Sequence, residues 1–224
     1  MSAPLTDQVT SCFVIDVLRK SRNDPLVVFL KGLFEDESVV KIVHDCRMDS
    51  DALWHHLGIK LANVHDTSCW HTAIFGTEDV NLNETLRAYG LAQNMIRDKN
   101  IYQTNPAFWT TRPLTPQMIE WASADIKSLF LMREAQKNRA SLSASQSAEK
   151  MSDAYCDDVR GKQVSTVRVA NPGFFIGTGG SNLRALQRSS GTKIYGIGKR
   201  TDKTFMVFYD TEADLAKVKR AASA

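Results

Sequence analysis

A short glycine-rich segment, Gly177-Thr178-Gly179-Gly180, has a spacing that suggests phosphate binding. Apolar residues 174–176 precede it, and a segment with helical spacing follows it, so its last glycine would open a helix. Backbone N–H groups at a helix N-terminus can hold a phosphate, and glycines allow close approach because they carry no Cβ. The Gly-x-x-Gly pattern alone is weak and gains meaning only from its surroundings.

The charge of these surroundings favours a polyanionic ligand. Residues 159–224 contain 12 Lys and Arg against 4 Asp and Glu, a net charge of +8, whereas residues 1–158 contain 16 against 21, a net charge of −5. Basic side chains near phosphates release condensed counterions, which suits the C-terminal segment to nucleic acid. Charge alone is equally consistent with a solvated basic face. The asymmetry also predicts two modules.

The segment FFIGTGGSNLRALQRSSGTKIYG resembles the signature of KH domains, in which an apolar residue, Gly-x-x-Gly and a helix precede Gly-x-x-Ile and a strand. The resemblance extends over about residues 164–222 and implies a small α+β fold that holds about four nucleotides of single-stranded RNA or DNA. It assigns the backbone clamp to Gly177, Thr178, Gly179 and Gly180, the apolar groove to Ile176, Leu183, Leu186 and Ile194, and positive charge to Arg184, Arg188 and Lys193. Thr178 and Gly179 give the loop no cation of its own. The alternative use of such a fold is a protein-interaction surface.

Two further segments, KIVHDCRMDSDALWHHLGIKLANVHDT at 41–67 and FWTTRPLTPQMIEWASADIKSLFLM at 108–132, resemble those of ribonuclease D-like, DEDD-type 3'-5' exonucleases. That family shows K-x-x-H before an Asp-bearing helix, and later W-x-x-RPLT before a Y-x-x-x-D helix. The resemblance covers about residues 12–136 and implies a ribonuclease H-like α/β fold. It also implies hydrolysis of 3'-terminal phosphodiesters of RNA or single-stranded DNA, with carboxylates holding two Mg²⁺ or Mn²⁺ ions about 3.5 to 4 Å apart.

The resemblance assigns the metal-ligand positions to Asp49 and Asp125. Trp121 occupies the position four residues before Asp125 at which the family usually has the Tyr that orients the attacking water. An indole cannot accept a proton, so Trp121 is a poor substitute. The family's first motif, Asp-x-Glu on the opening strand, is missing, because the strand that begins at Phe13 matches the next strand and Asp16 is not that acid. The exonuclease domain is therefore expected to be incomplete at its N-terminus and to lack its first strands.

The other polar residues of segment 41–67 are expected to be structural. Asp66 precedes a helix and suits its N-cap, whereas Asp45 and Asp51 are expected to be solvated. All five histidines lie near Cys46 and Cys69, which suggests zinc at first sight. No C-x-x-C or H-x-x-x-H spacing is present, so the sequence does not predict a zinc site.

The elements that position these residues follow from the apolar spacing. In the N-terminal module it predicts strands at 13–17, 39–43 and 62–65 and helices at 25–34, 48–57, 82–89 and 116–137. Interleaved strands and helices indicate an α/β fold. In the C-terminal module the predicted order is strand, helix, GTGG, helix, two strands and a helix. Residues 137–163, rich in Ser, Ala and charge, predict a linker, which gives domains at 1–136 and 164–224.

Composition excludes several other classes. With 43% hydrophobic and 24% charged residues, 12 Gly and 6 Pro, the chain is typical of a folded protein rather than a disordered or low-complexity one. No apolar stretch approaches the roughly 20 residues that a bilayer span requires, and no secretory signal is expected at the N-terminus. Four widely spaced cysteines are expected to be reduced thiols in a cytoplasmic or nuclear protein.

Two functions remain open at this point. One is a 3'-5' exonuclease homologue whose KH domain grips single-stranded RNA or DNA. The other is a catalytically inactive RNA-binding adaptor that uses the exonuclease fold as an interaction surface for protein partners. The missing Asp-x-Glu and Trp121 favour the adaptor, whereas Asp49 and Asp125 favour the exonuclease.

Overall fold

The computed structural model describes residues 11–78, 80–95, 101, 105, 107–196 and 203–223. The chain divides into two compact units, Met1–Arg160 and Gly161–Ala224. Within the described residues, no helix combines the length and the apolar character needed to cross a bilayer. The boundary between the units lies near the C-terminal end of the segment that was predicted to be a linker.

The first unit is a mixed α/β structure. Its described elements are, in chain order, α1 (Pro25–Glu35), β1 (Lys41–Val43), α2 (Arg47–Ala52), a π-helical turn (Leu53–Leu57), β2 (Val64–Asp66), α3 (Thr67–Phe75), α4 (Leu82–Ala88), a 3-10 turn (Phe108–Thr110), α5 (Pro116–Ala124), α6 (Leu129–Arg139) and α7 (Leu142–Asp157). Strands β1 and β2 pair in parallel, with Lys41 opposite Val64 and Val43 opposite Asp66. The two chain segments that leave this sheet therefore start side by side.

Local capping explains where two of the helices begin. The Asp24 side chain accepts a hydrogen bond from the Leu26 N–H at 3.0 Å, and Pro25 occupies the first position of α1. Thr115 and Pro116 play the same parts in α5. An oxygen before the first turn satisfies an otherwise unpaired N–H, and proline has no N–H to satisfy there. Both helices begin where the sequence predicts them.

Three predicted elements of the first unit differ in the structure. The predicted strand at 13–17 is wrong: these residues form no ladder and Phe13 is 80% exposed, because the described sheet holds only β1 and β2 and neither pairs with them. The predicted helix 116–137 is two helices, α5 and α6. The predicted helix 48–57 lies within α2 and the π-helical turn, which ends at Gly58 in the left-handed conformation, at φ 68°.

Helix α7 lies inside the segment 137–163, so the prediction of a linker is wrong for residues 142–157. Ser141 caps the helix, and Ala148, Ser152 and Cys156 are buried. These three residues follow one another at intervals of four, which places them on one helix face against α3, β2 and α2. The face consists of small side chains with little apolar signal, which is why the sequence resembles a linker.

The second unit packs helices on an antiparallel sheet. Its described elements are β3 (Gln163–Arg168), α8 (Pro172–Ile176), a 3-10 turn (Thr178–Gly180), α9 (Ser181–Ser190), β4 (Lys193–Gly196), β5 (Thr204–Tyr209) and α10 (Glu212–Ser223). The strand order is β3, β5, β4. The core consists of the buried residues Val167, Val169, Phe175, Ile194, Phe205, Val207, Tyr209, Leu215, Val218 and Ala222. The predicted order of strands and helices is confirmed for the described residues.

Candidate functional site

One cavity of about 780 Å³ in the first unit brings Asp49 and Asp125 together. Asp49 lies in the first turn of α2, and Asp125 follows the end of α5. The remaining wall comes from β1 and the adjacent His44, residues 81–83 at the start of α4, residues 94–95, and Ile126 and Leu129. Asp49 and Asp125 therefore line the same cavity although they are 76 positions apart in the sequence.

Asn94 fixes the position of the Asp125 carboxylate. Its Nδ2 donates a hydrogen bond to Asp125 Oδ1 at 2.7 Å. Asn94 is itself held by Asn83 through two backbone contacts: the Asn94 N–H donates to Asn83 Oδ1, and Asn83 Nδ2 donates to the Asn94 carbonyl, each at 2.8 Å. The sequence marks neither asparagine as a site residue. Hydrogen bonds between the side chain of one residue and the backbone of another, eleven positions away, leave no periodic pattern.

The environment of Asp49 disfavours its charged form. Partial burial in the cavity raises its pKa, and the negative charges of Asp45 and Asp66 raise it further. Asp49 therefore takes up a proton at a higher pH than a free aspartate does. A bound cation would reverse this effect, since an opposite charge stabilises the carboxylate.

Asp66 has a structural role at the end of β2. It is fully buried, and its carboxylate accepts hydrogen bonds from the N–H groups of Cys46 at 2.7 Å, Ser68 at 2.9 Å and Asp45 at 3.0 Å. The hydrogen bonds from Cys46 and Asp45 hold the turn that leads into α2, while Ser68 lies in the first turn of α3. The expectation that Asp66 is an N-cap is confirmed. Asp45, expected to be solvated, has a side chain that is 41% exposed, and it also pairs with Arg47 at 2.6 Å.

Trp121 does not line the cavity with the two acids. Helix α5 ends at Ala124, and Asp125 is its C-cap, with the right-handed helical dihedrals φ −66° and ψ −22°. The indole is 3% exposed and packs against Phe108, with ring centroids 5.3 Å apart, and against Met118. Burial with apolar neighbours is the favoured environment of a large aromatic ring, and it makes Trp121 a core residue rather than a participant in the site.

The residues around the cavity do not fit a centre of two divalent metals. Within the described part of the chain, no three His, Cys, Asp or Glu side chains lie close enough to bind one ion. One oxygen of Asp125 already accepts the Asn94 amide. A divalent pair needs several carboxylates for charge and coordination, and Asp49 and Asp125 supply two.

The glycine loop of the second unit has a backbone that only glycine adopts readily. Gly177 has φ 73° and ψ 172°, and a Cβ there would lie 2.7 Å from Asn182 Cγ and 2.8 Å from Ser181 Oγ. Gly180 also has a positive φ, 82°, and it precedes α9 without any side-chain cap. The loop therefore opens onto a helix N-terminus whose N–H groups no side chain caps.

Arg184 places positive charge at this loop. A Cβ built on Gly180 would meet Arg184 Nη1 at 2.8 Å, so the guanidinium lies directly against the loop. Arg184, in the first turns of α9, thus supplies the positive charge that Thr178 and Gly179 do not provide. Arg188 is exposed one turn further along the same helix.

The predicted apolar groove is only partly available. Ile176, Leu183 and Leu186 are partly buried and pack against the core. Ile194 is 3% exposed and belongs to the core itself, because β4 turns it toward β5 and α10. Its assignment to an open groove is therefore wrong. Phe174, which the sequence analysis did not select, is 61% exposed beside the loop.

Comparisons with known proteins match the first unit. The 3'-5' exonuclease family matches residues 2–139. The piRNA biogenesis protein EXD1 of Mus musculus is 34% identical over 118 residues, covering 46% of this chain and 20% of the mouse protein. Its namesake in Bombyx mori is 35% identical over 114 residues, covering 47% of this chain and 35% of the silkworm protein. The matched stretch thus spans between a fifth and about a third of these curated relatives.

A solved structure shows the same fold. The crystal structure of Trypanosoma brucei RNase D superposes with a TM-score of 0.52 at 21% identity, covering 59% of this chain and 48% of that chain. The same protein in its GMP complex gives 0.51 at 22% identity. At this identity the likeness establishes the fold alone. The family match, which covers more than half of the sequence, goes further: the chain belongs to the 3'-5' exonuclease family.

Proposed function

We propose that this protein binds single-stranded nucleic acid through a KH-type loop and helix in its second unit. The observation that carries the proposal is the loop of Gly177 to Gly180, which opens onto the uncapped N-terminus of α9 with the Arg184 guanidinium against it. Backbone N–H groups and a guanidinium are both donors that suit a phosphate. The net charge of +8 in residues 159–224 favours a polyanion.

Different residues of the second unit would contact the phosphates and the bases of the nucleic acid. The loop and Arg184 would hold one phosphate, and Arg188, one turn along α9, would meet the next part of the backbone. The exposed ring of Phe174 offers a surface on which a base can stack, a contact that tolerates any base. The partly buried Ile176, Leu183 and Leu186 would contact the neighbouring bases. RNA is the favoured ligand, since the relatives of the first unit are named for piRNA biogenesis.

The first unit, in this proposal, serves binding rather than hydrolysis. Asp49 and Asp125 share a cavity, but the described residues do not fit a two-metal centre, and Trp121 is buried in the core. The protein would then act as an RNA-binding adaptor that retains the exonuclease fold as a surface for protein partners. The second candidate function, Mg²⁺- or Mn²⁺-dependent removal of 3'-terminal nucleotides, is favoured by the convergence of these two acids in one cavity.

A titration with a labelled single-stranded RNA tests the binding proposal. The pair Thr178→Asp and Gly179→Asp places two negative charges in the loop and should weaken binding by at least about tenfold. The control pair Ala213→Asp and Ser223→Asp changes the net charge equally at exposed positions of α10. An equal loss in both pairs would show that charge alone drives binding and that the loop takes no part.

A second assay separates the two candidate functions. We expect no release of mononucleotides from a 3'-labelled oligonucleotide when the 224-residue chain is incubated with Mg²⁺ or Mn²⁺. Release that disappears on Asp49→Asn or Asp125→Asn would establish hydrolysis and overturn the adaptor role. Release that survives both substitutions would identify a contaminating nuclease.

A further inference from the structure

Two cysteines from distant parts of the sequence meet in the core of the first unit. Cys46 immediately precedes α2, and Cys156 lies in the last turn of α7. Both belong to one buried cluster with Leu61 and Val64, and their thiol groups are hydrogen-bonded to each other. The backbones are held together as well, since Ser50 Oγ donates to the Cys156 carbonyl at 2.6 Å.

The two thiols differ in their access to solvent. Cys46 is fully buried, whereas Cys156 is 6% exposed and lines a cavity of about 480 Å³. Lys60 and Arg160 contribute basic groups to that cavity, and Asp153 and Asp157 contribute acidic ones. A small polar molecule can therefore reach Cys156 without unfolding the unit, but it cannot reach Cys46 directly.

The two thiols also differ in acidity. The hydrogen bond from Cys46 lowers the pKa of Cys156, and Arg160 acts in the same direction against the opposing effects of burial and Asp153. The same hydrogen bond, together with burial and the negative charge of Asp66, raises the pKa of Cys46. The thiolate is the nucleophilic form of cysteine, and Cys156 is the partner that lines the cavity, so a reagent that enters the cavity meets Cys156 first.

We propose that Cys156 and Cys46 are a redox-active pair, in which a peroxide that enters the cavity oxidises Cys156 and Cys46 then closes an intramolecular disulfide. In the first step the Cys156 thiolate attacks one oxygen of hydrogen peroxide, the O–O bond breaks, and a sulfenic acid and hydroxide form. In the second step the hydroxide formed in the first step takes the Cys46 proton and becomes water, the Cys46 thiolate attacks the sulfenic sulfur, and the hydroxyl group leaves and is protonated to a second water. In sum, two thiols and one peroxide give one disulfide and two waters.

The bond would join two elements that are now held together without covalent links. Cys46 belongs to the turn that Asp66 fixes before α2, the helix that carries Asp49. Cys156 belongs to α7, which covers β2 and α3. Oxidation would therefore fasten the last helix of the first unit to one wall of the acidic cavity, and it would restrict the unfolded chain through a long covalent loop.

Peptide mapping of the full chain after treatment with hydrogen peroxide tests the proposal. We expect a Cys46–Cys156 cross-link, a mass loss of two hydrogen atoms that dithiothreitol reverses, and a rise in the melting temperature of the oxidised protein. Cys46→Ser should block the cross-link and leave a sulfenic acid on Cys156 that dimedone traps. Cys12→Ser and Cys69→Ser are the controls and should leave the cross-link intact.

A measurement on the unmutated protein keeps the test independent of how the variants fold. Under native conditions Cys156 should react with a small alkylating reagent on the order of tenfold faster than Cys46. Free Cys46 and Cys156 in a folded sample whose exposed Cys12 is fully oxidised would overturn the proposal. So would a cross-link that appears only after denaturation, because it would not depend on the native contact.

Discussion

The acidic cavity of the first unit and the glycine loop of the second unit are built from different parts of the chain. The cavity depends on side chains, and it holds two carboxylates, one of which is occupied by Asn94. The loop depends on the backbone of four consecutive residues, of which Gly177 and Gly180 already donate their N–H groups to the carbonyls of Gly173 and Gly177. Single substitutions can remove the carboxylates of the cavity one at a time while the fold of the first unit persists. The loop keeps its backbone conformation only while its glycines are retained, and the charge beside it comes from Arg184.

Under the proposed function, this contrast would explain how a chain that belongs to an exonuclease family serves binding. The fold of the first unit depends on caps and core residues, and Asp66 and Trp121 serve it. Neither residue lines the acidic cavity. Four substitutions test whether the two sites differ in this way.

Asp66→Ala should destabilise the first unit by about 3 kcal/mol, since it leaves several buried N–H groups without their acceptor. Chemical denaturation followed by circular dichroism measures the loss. Asp51→Ala, which removes a carboxylate near His55, is the control and should cost far less. Equal losses would show that Asp66 contributes no more to stability than an acid near the surface does, which would contradict the contrast between the first unit and the loop.

Gly177→Ala should cost about 1 to 3 kcal/mol in the second unit and weaken RNA binding, because the backbone conformation at this position is open only to glycine and the added Cβ meets Asn182. Gly191→Ala is a matched control: its φ is also positive, 67°, but a Cβ there meets nothing within 4 Å. Thermal melts give the stability, and an RNA titration gives the affinity. Weakened binding in the control alone would contradict the assignment of the loop.

Arg184→Gln should weaken RNA binding by about 1.4 kcal/mol, a factor of about ten, and should reduce the salt dependence of binding. The reason is that its guanidinium lies at the loop, where a phosphate is expected. Lys219→Gln, at an exposed position of α10, is the control for loss of one charge. If both substitutions have the same effect, the contact is general attraction and the loop is not its centre.

Asp49→Asn should raise the melting temperature by about a degree or two at pH 7 to 8. The folded state raises the pKa of Asp49, so ionisation opposes folding above that pKa, and the amide removes this cost. The gain should shrink as the pH falls through the folded pKa, because the native carboxyl then becomes neutral as well. Melts at several pH values measure it. A gain that grows toward low pH would show that the sign of the shift is wrong.

The sequence predicts elements whose signals are local. The caps at Asp24, Thr115 and Asp66 and the order of elements in the second unit follow from residues within a few positions of one another. The glycine loop is likewise contiguous. The pairing of Asp49 with Asp125 was accessible only through the resemblance to a family.

The features that the sequence did not predict share a physical cause: each depends on residues that are far away in the sequence. Residues 13–17 have the composition of a strand, but a strand exists only beside another one. Trp121 lies in the core because its ring packs against Phe108 and Met118. The hydrogen bond from Asn94 to Asp125 links residues 31 positions apart, and no repeat or spacing in the sequence marks it.

Helix α7 sets where the first unit can be cut. The family match ends at residue 139, just before this helix, yet Ser152 Oγ accepts the Asp66 N–H and Ser50 holds the Cys156 carbonyl. A fragment trimmed to the matched region would expose the apolar side of β2 and α3 to water and leave these polar groups without partners. Separate expression of the two units should therefore divide the chain at residues 160 and 161, where their contacts separate.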